Sequence, residues 1–400
     1  MKYAASGFVA VLLALILPQS TAAQGSAKDD ALPLPPAVQG VFDAFNKPLH
    51  PIVGGIAPGG GMGVGIGYNT PKSENWFHDA EARITINRYW ALTGETGRQT
   101  QRSRVGVFGQ IRHMNRLDFF GIGPDSLRAD RTDFRLRETS AGAKGWIRAT
   151  PALRFGGSAQ IYSPELGSGQ SPALLSLEQF FMPAAVPGFN ADPKFARYRG
   201  YSEFVYPVLT DPDQPDEEYR GYQGTYQFAV ESVRDTDTGA YNFHRWETEV
   251  QQRFAGFRPG HRFTVHGLMA VTNDDANVPF YLQYTLGGGG GLSAFRANTI
   301  GTDGTRATLR GFQNYRFRDK DIVLLQGEYR VPLHKSVDAT VFVDAGQVAP
   351  TASRLFNDWK KGTGFSLSYM RKGAALARLD VGYGSGEGMH FFWGFGGFLQ

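Results

Sequence analysis

The chain has 400 residues with 41 basic and 37 acidic side chains, a formal net charge of +4 and a pI near 9.1. So small a net charge, with basic residues scattered among acids, argues against a nucleic-acid partner, and the lack of cysteine removes disulfide scaffolds and thiolate metal sites. Past residue 24 no uninterrupted apolar stretch reaches the roughly 20 residues that a membrane helix needs, which excludes a helical membrane protein.

The first elements are read in chain order. Lys2, an apolar run from Phe8 to Leu17, then Pro18 and the small residues Ser20 to Ala23 spell a secretory signal peptide, 1–23, and therefore export. Segment 24–60 carries Pro33, Pro35, Pro36, Pro48, Pro51 and Pro58 around one short apolar piece, Val38 to Phe45, and reads as a periplasmic linker with at most one short helix. From Gly61 to the end, period-two alternation recurs, the mark of strands with one apolar and one polar face. Val337, Ala339, Val341, Val343 and Ala345 oppose Asp338, Thr340, Phe342 and Asp344; Leu153, Phe155, Ala159 and Ile161 oppose Arg154, Ser158 and Gln160; Phe263, Val265 and Met269 oppose Arg262, Thr264 and His266.

Fourteen strand candidates are visible: 61–69, 76–95, 104–116, 132–149, 152–163, 195–208, 220–232, 242–256, 261–272, 322–332, 337–348, 361–371, 375–385 and 389–399. Tight turns at 150–151, 257–260, 333–336 and 372–374 alternate with long connectors at 117–131, 164–194, 273–321 and 349–360. Short turns on one side and long loops on the other are the habit of outer-membrane barrels. An open sheet edge in hydrocarbon leaves each unpaired backbone group several kcal/mol worse off, so such a sheet must close. The expected seam joins a first strand with Gly61, Gly63, Gly65 and Gly67 on its inner face to a last strand bearing Phe391, Trp393 and Phe395. Glycine adds no side-chain packing, which makes this seam soft.

The longest connector carries VPFY at 278–281, LGGGGG at 286–291 and LRGF at 309–312, followed by EYRVPL at 328–333 and FVDAG at 342–346. FFGIGPDS stands upstream at 119–126, and ARLDVGYG at 377–384 and the terminal FFWGFGGFLQ stand downstream. In this order the chain from about Gly61 onward resembles the barrel of the BamA/TamA superfamily, the bacterial surface-antigen type of outer-membrane protein. The resemblance implies a closed antiparallel transmembrane β-barrel of sixteen strands, two of them hidden in 70–103 or 164–194, with the RGF-bearing loop folded into the lumen. It further implies that Arg310, within Leu309, Gly311 and Phe312, meets an acidic residue of the F-x-D-x-G stretch, here Asp344 between Phe342 and Gly346. The alternation independently turns Asp344 inward, and Glu328 and Asp380 with it.

POTRA modules, which family members carry ahead of the barrel, do not fit in 24–60, so the expected protein is a POTRA-less monomer in the outer membrane. It would contact outer-membrane lipids and, by lateral opening of the first/last-strand seam, move or insert polypeptide or move lipid, with unfolded outer-membrane proteins as clients delivered by a periplasmic partner. A passive or gated pore without insertase activity is the alternative. No H-E-x-x-H, G-x-S-x-G or P-loop pattern occurs, so the sequence supports no enzyme, metal or cofactor. The acidic connector Asp211 to Glu218 reads as a solvated turn, and the glycine run Gly287 to Gly291 as a flexible loop.

Overall fold

The computed structural model describes residues 47–70, 75–206, 221–256, 258–289, 309–371 and 374–395. The signal segment 1–23, the linker as far as Asn46, the acidic connector and Leu399–Gln400 lie outside the described residues.

Sixteen strands pair antiparallel in chain order within one sheet. They are β1 (Leu49–Val53), β2 (Gly63–Asn69), β3 (Trp76–Thr85), β4 (Trp90–Gln99), β5 (Ser103–Phe119), β6 (Thr132–Arg148), β7 (Leu153–Ser168), β8 (Phe195–Tyr206), β9 (Gly221–Asp235), β10 (Phe243–Ala255), β11 (Arg262–Thr272), β14 (Asp321–His334), β15 (Val337–Ala349), β16 (Lys360–Arg371), β17 (Ala374–Gly384) and β18 (Gly388–Phe395). Within the long connector, β12 (Tyr284–Leu286) and β13 (Phe317–Asp319) form a separate two-stranded ribbon.

Two strands exceed the sequence reading. The run 76–95 is a hairpin, β3 and β4, turned at residues 86–89 where Arg88 adopts φ 62° and its N–H donates to the Thr85 carbonyl at 2.9 Å. That turn contains neither Gly nor Pro, so alternation reads straight through it. The other addition, β1, lies inside the stretch expected to be linker, and the sheet begins at Leu49 rather than Gly61. Pro51 disguises β1, but an edge strand tolerates a missing N–H. One strand added in front and one by division leave the alternation of short turns and long loops in phase.

Side chains sort by face as the period-two pattern demands. Val341 and Val343 of β15 are exposed, whereas Asp338, Thr340, Phe342 and Asp344 are buried. Exposed aromatics cluster near the turn ends of their strands (Trp76, Phe155, Phe204, Phe254, Phe263) and near the loop ends (Tyr198, Trp246, Tyr383). This outer face, with Ile84, Leu92, Val105, Val107 and Ile161 between the two groups, calls for hydrocarbon around it. The inner wall carries cross-strand ion pairs instead, Arg112–Glu138 at 2.5 Å and Arg197–Glu231 and Arg199–Glu247 at 2.7 Å, and a hydrogen bond between His266 and Glu249 at 2.8 Å.

The long connectors fold inward at the loop end and pack as a plug. Phe119, Phe134, Val186, Phe195, Val278, Phe280 and Tyr281 form its core, with Phe119 edge-on to Phe280 at 5.3 Å between centroids. The sheet curls far enough for Arg128, in the β5–β6 connector, to donate to the Glu387 carbonyl in the β17–β18 turn at 3.0 Å. Tyr315 of the plug likewise donates to the Pro58 carbonyl beside β1, at 3.2 Å.

Candidate functional site: a buried arginine clamp beneath the plug

The connector from β11 to β14 runs inward through the turn at Phe280–Leu282 and then the β12–β13 ribbon. Hydrophobic burial seats it: Leu286, Leu309, Phe312 and Phe317 pack against Leu268, Ile322, Leu324 and Val348 of the wall. A tight turn at Leu309–Phe312, closed by Phe312 N–H donating to the Leu309 carbonyl at 3.3 Å, projects Arg310 toward β15.

Arg310 is fully buried. Its Nε donates to Asp344 Oδ2 at 2.7 Å and its Nη2 to Oδ1 at 2.5 Å, the two parallel bonds of a guanidinium–carboxylate fork. The Arg310 backbone N–H adds a third bond to Oδ2 at 3.1 Å. Nη1 donates to Glu328 of β14, and the Phe342 ring lies under the guanidinium, 3.8 Å from its carbon to the ring centroid. Burial works against the charge, but the Asp344 hydrogen bonds and the Asp344 and Glu328 charges outweigh it and raise the Arg310 pKa.

The clamp extends sideways. Arg378 of β17 donates to the same Glu328 oxygen at 3.2 Å and to Asp380 at 2.6 Å, while Ser366 of β16 donates to Asp380. Glu328 thus touches Arg310 directly, and Asp380 joins through Arg378. Gly346 lies on β15 against Leu286 of the ribbon rather than on the guanidinium.

Sequence reasoning missed the socket that receives the tetrapeptide backbone. Gly311, at φ +98°, lies against Tyr383 and Gly384. A Cβ added at Gly382 would sit 2.6 Å from the Gly311 nitrogen, one at Gly362 would run into the Arg310 carbonyl oxygen, and one at Gly384 would strike the Gly311 carbonyl oxygen. Three wall glycines on β16 and β17 therefore admit the loop backbone. The signal was available in KKGTGF and ARLDVGYG, where Gly362, Gly364, Gly382 and Gly384 fall on inward positions. Gly287 and Gly288 are similarly committed to packing, against Gln313–Arg316 and Asn314, which corrects their reading as a flexible loop; Gly290 and Gly291 lie outside the described residues.

Also unforeseen is a second clasp toward the loop end. Arg316 pairs with Glu387 in the β17–β18 turn and donates to Ser126 Oγ at 2.9 Å and to the Ser126 carbonyl at 2.7 Å. Arg318 lies among Phe119, Phe134 and Phe280 and donates to the Phe280 carbonyl at 2.6 Å. On the far wall, Tyr284 Oη donates to Glu247 at 3.0 Å and Arg245 donates to the Leu282 carbonyl at 2.9 Å.

The expected seam is corrected on one side. Gly63, Gly65 and Gly67 belong to β2, paired with both β1 and β3, and Gly61 precedes it; the short β1 is the terminal strand. On the other side, Phe391 and Trp393 of β18 face outward, 60% and 69% exposed, and Phe395 ends the strand. Among the described residues, β1 and β18 each pair with one neighbour only, and no group of three or more His, Asp or Glu side chains is placed to hold a metal ion.

No family model matches the sequence, and no curated protein matches it. Solved structures do. BamA from Haemophilus ducreyi lacking POTRA domains 1–3 aligns over 85% of this chain and 68% of its own at TM-score 0.55 and 12% identity. CdiB from Escherichia coli aligns over 86% and 61% at 0.53 and 10%, and CdiB from Acinetobacter baumannii over 83% and 55% at 0.50 and 10%. The chain thus spans between about half and two thirds of the length of these proteins. At such identities the likeness is one of fold: this chain shares the large antiparallel β-sheet fold of these BamA and CdiB structures.

Proposed function

We propose that this chain closes into a sixteen-stranded barrel in the outer membrane and moves or inserts polypeptide there by transient opening between β1 and β18. The observation that carries the reading is the clamp of Arg310 between Asp344 and Glu328, which fixes an inward-folded loop to the wall of a sheet whose two terminal strands, among the described residues, each pair with one neighbour only. An unpaired edge offers main-chain donors and acceptors to an incoming strand, and such β-augmentation needs no particular client sequence. The clamp braces the lumen while the edges part. Segment 1–23 directs export, the outer face contacts membrane lipids, and a periplasmic partner delivers unfolded outer-membrane proteins to the monomer. No enzyme chemistry, cofactor or metal enters this reading.

Because the chain has no cysteine, a single pair introduced into Leu49–Val53 and Gly388–Phe395 forms the only possible disulfide. Oxidation is expected to stop assembly of a client barrel in reconstituted vesicles, and reduction to restore it. Undiminished assembly by the oxidised protein overturns lateral opening. A gated pore is the second reading, favoured by a polar recess of about 270 Å³ at the turn end lined by Arg154, Glu203, Gln251 and Arg253. Steady ion conductance with no client assembly would select it.

A further inference from the structure

We propose that the lipid-facing wall over β1–β7 is a binding site for a phosphorylated glycolipid of the loop-side leaflet, its phosphate held by Arg135 and Arg137 and an acyl chain lying in the groove below. The inference rests on the membrane reading above.

The headgroup end is built from one cross-strand row. Trp90, His113, Arg137 and Glu165 are successive register partners on β4, β5, β6 and β7, all on the outer face. Trp90 and His113 stack at 5.7 Å with 13° between their planes. Arg135, two residues toward the loop end, lies across Gly167, where any side chain would collide with its guanidinium. Arg135 and Arg137 share a single carboxylate, Glu165, at 3.4 and 3.6 Å, with side chains 27%, 45% and 49% exposed. Both separations exceed the 2.7–2.9 Å or so of a good charge-assisted bond. Asp192, which accepts from the Leu166 N–H at 3.0 Å, bears on Arg135 as well, so two carboxylates stand against two arginines and what the row offers a phosphate is outward guanidinium donors that Glu165 holds only loosely.

Its height suits a headgroup. From Arg137 to the exposed Ile147 at the turn end of β6 is ten residues, roughly 34 Å along the strand and roughly 25 Å along the membrane normal at the usual tilt. That is the height of an apolar band, so the arginines stand at its upper border. There a charge on the lipid face costs about 0–1 kcal/mol, against about 2–4 at mid-depth.

Below the row the wall is hollowed. Ala80, Gly94, Gly109 and Ala141 are successive register partners on β3 to β6, and they floor an apolar groove of about 650 Å³ that runs from Ile111 and Thr139 to Leu49 and Tyr68. A Cβ at Gly94 or Gly109 would meet nothing within 4 Å. Packing within the protein does not require glycine there, unlike at Gly97 or Gly106, where a Cβ would strike the neighbouring strand. Glycine in a strand interior commonly marks the close approach of a ligand, and here the open side faces hydrocarbon. Guanidinium donors, interfacial height and apolar trough together describe one anionic lipid.

The test uses the full chain in nanodiscs of zwitterionic phospholipid doped with either a bis-phosphorylated, acylated glycolipid or phosphatidylglycerol, with retained lipid read by native mass spectrometry. The wild type is expected to retain the glycolipid. Arg135→Ala with Arg137→Ala should lower retention more than tenfold, about fivefold for each arginine, which corresponds to roughly 1 kcal/mol each. Gly94→Leu with Gly109→Leu should lower it with every charge intact. Arg258→Ala, a basic residue at the turn end, should leave it unchanged, and Glu165→Gln should raise it by removing the competing carboxylate.

Unchanged retention in the double arginine variant, an equal loss in Arg258→Ala, or no rise in Glu165→Gln overturns the site. Equal retention of phosphatidylglycerol overturns the glycolipid assignment. A wild type that inserts normally and retains no glycolipid overturns this proposal alone; one that stays out of the bilayer overturns the membrane reading as well.

Discussion

Arg310 and Asp344, 34 residues apart in the chain, are joined by three hydrogen bonds at a point where neither side chain is accessible to solvent. Removing one member of such a pair leaves the other charge buried and uncompensated, at about 3–5 kcal/mol, less where water reaches the cavity. Arg310→Ala is therefore expected to release the β12–β13 ribbon from the wall and raise single-channel conductance. Arg310→Lys should not rescue it, because a lysine keeps the charge but loses the fork to Asp344 and the flat contact with Phe342. Wild-type conductance in Arg310→Ala would remove the clamp from the mechanism.

The wall glycines allow the same displacement with no change of charge. Gly382→Val and Gly384→Val place side-chain atoms where the Gly311 backbone lies, and overpacking of this kind costs about 1–3 kcal/mol. Both should reproduce the Arg310→Ala conductance phenotype. Gly327→Ala, whose Cβ would stand 3.9 Å from its nearest neighbour, the Val343 carbonyl oxygen, is the control and should behave as wild type. If the glycine variants conduct like the control, the socket does not position the loop.

A pH dependence follows from Asp319, at the end of the ribbon and outside the wall strands. Burial, reinforced by the neighbouring Asp321 charge, pushes its carboxyl up to about 6, against the opposing Lys320 backbone N–H at 2.8 Å and the Lys320 ammonium. The folded value lies above the unfolded one, about 3.9, so the protonated form is favoured by folding. Its contribution is fully present below about pH 4 and is lost as pH rises through 6. The loss is on the order of 3 kcal/mol, from about two units at 1.36 kcal/mol each. Protease nicking of the connector should increase between pH 5 and 7 in the wild type and increase less steeply in Asp319→Asn; parallel profiles would show that Asp319 does not titrate in this range.

How much of this was written in the sequence differs by element. The inward face of β15 was legible because Asp338, Thr340, Phe342 and Asp344 alternate strictly with apolar residues, and the meeting of Arg310 with Asp344 followed from motif order. β1 was not, since five residues interrupted by Pro51 carry too little periodicity, and its place is fixed by pairing with β2 rather than by its own pattern. The β3–β4 turn lacked Gly and Pro, so nothing in INRY announced that Arg88 would take a positive φ. The glycine socket needed knowledge of which strand faces the tetrapeptide, a tertiary fact that local alternation does not encode.

Arg316 and Glu387, 71 residues apart, had no such periodic or motif signal, and their pairing ties the plug to the turn that leads into β18. Both side chains are nearly buried, 6% and 9% exposed, so the pair is coupled more strongly than a surface bridge, whose median is about 0–1 kcal/mol. Arg316→Ala and Glu387→Gln are each expected to loosen the β17–β18 turn, seen as faster amide exchange at Ser385 to Gly388, and their effects should not add. The exchanged pair, Arg316→Glu with Glu387→Arg, should recover only part of the protection, because the new arginine at 387 can no longer reach both Ser126 Oγ and the Ser126 carbonyl. Strict additivity of the two single variants would mean that the clasp is two separate contacts, and that β18 is free to move without the plug.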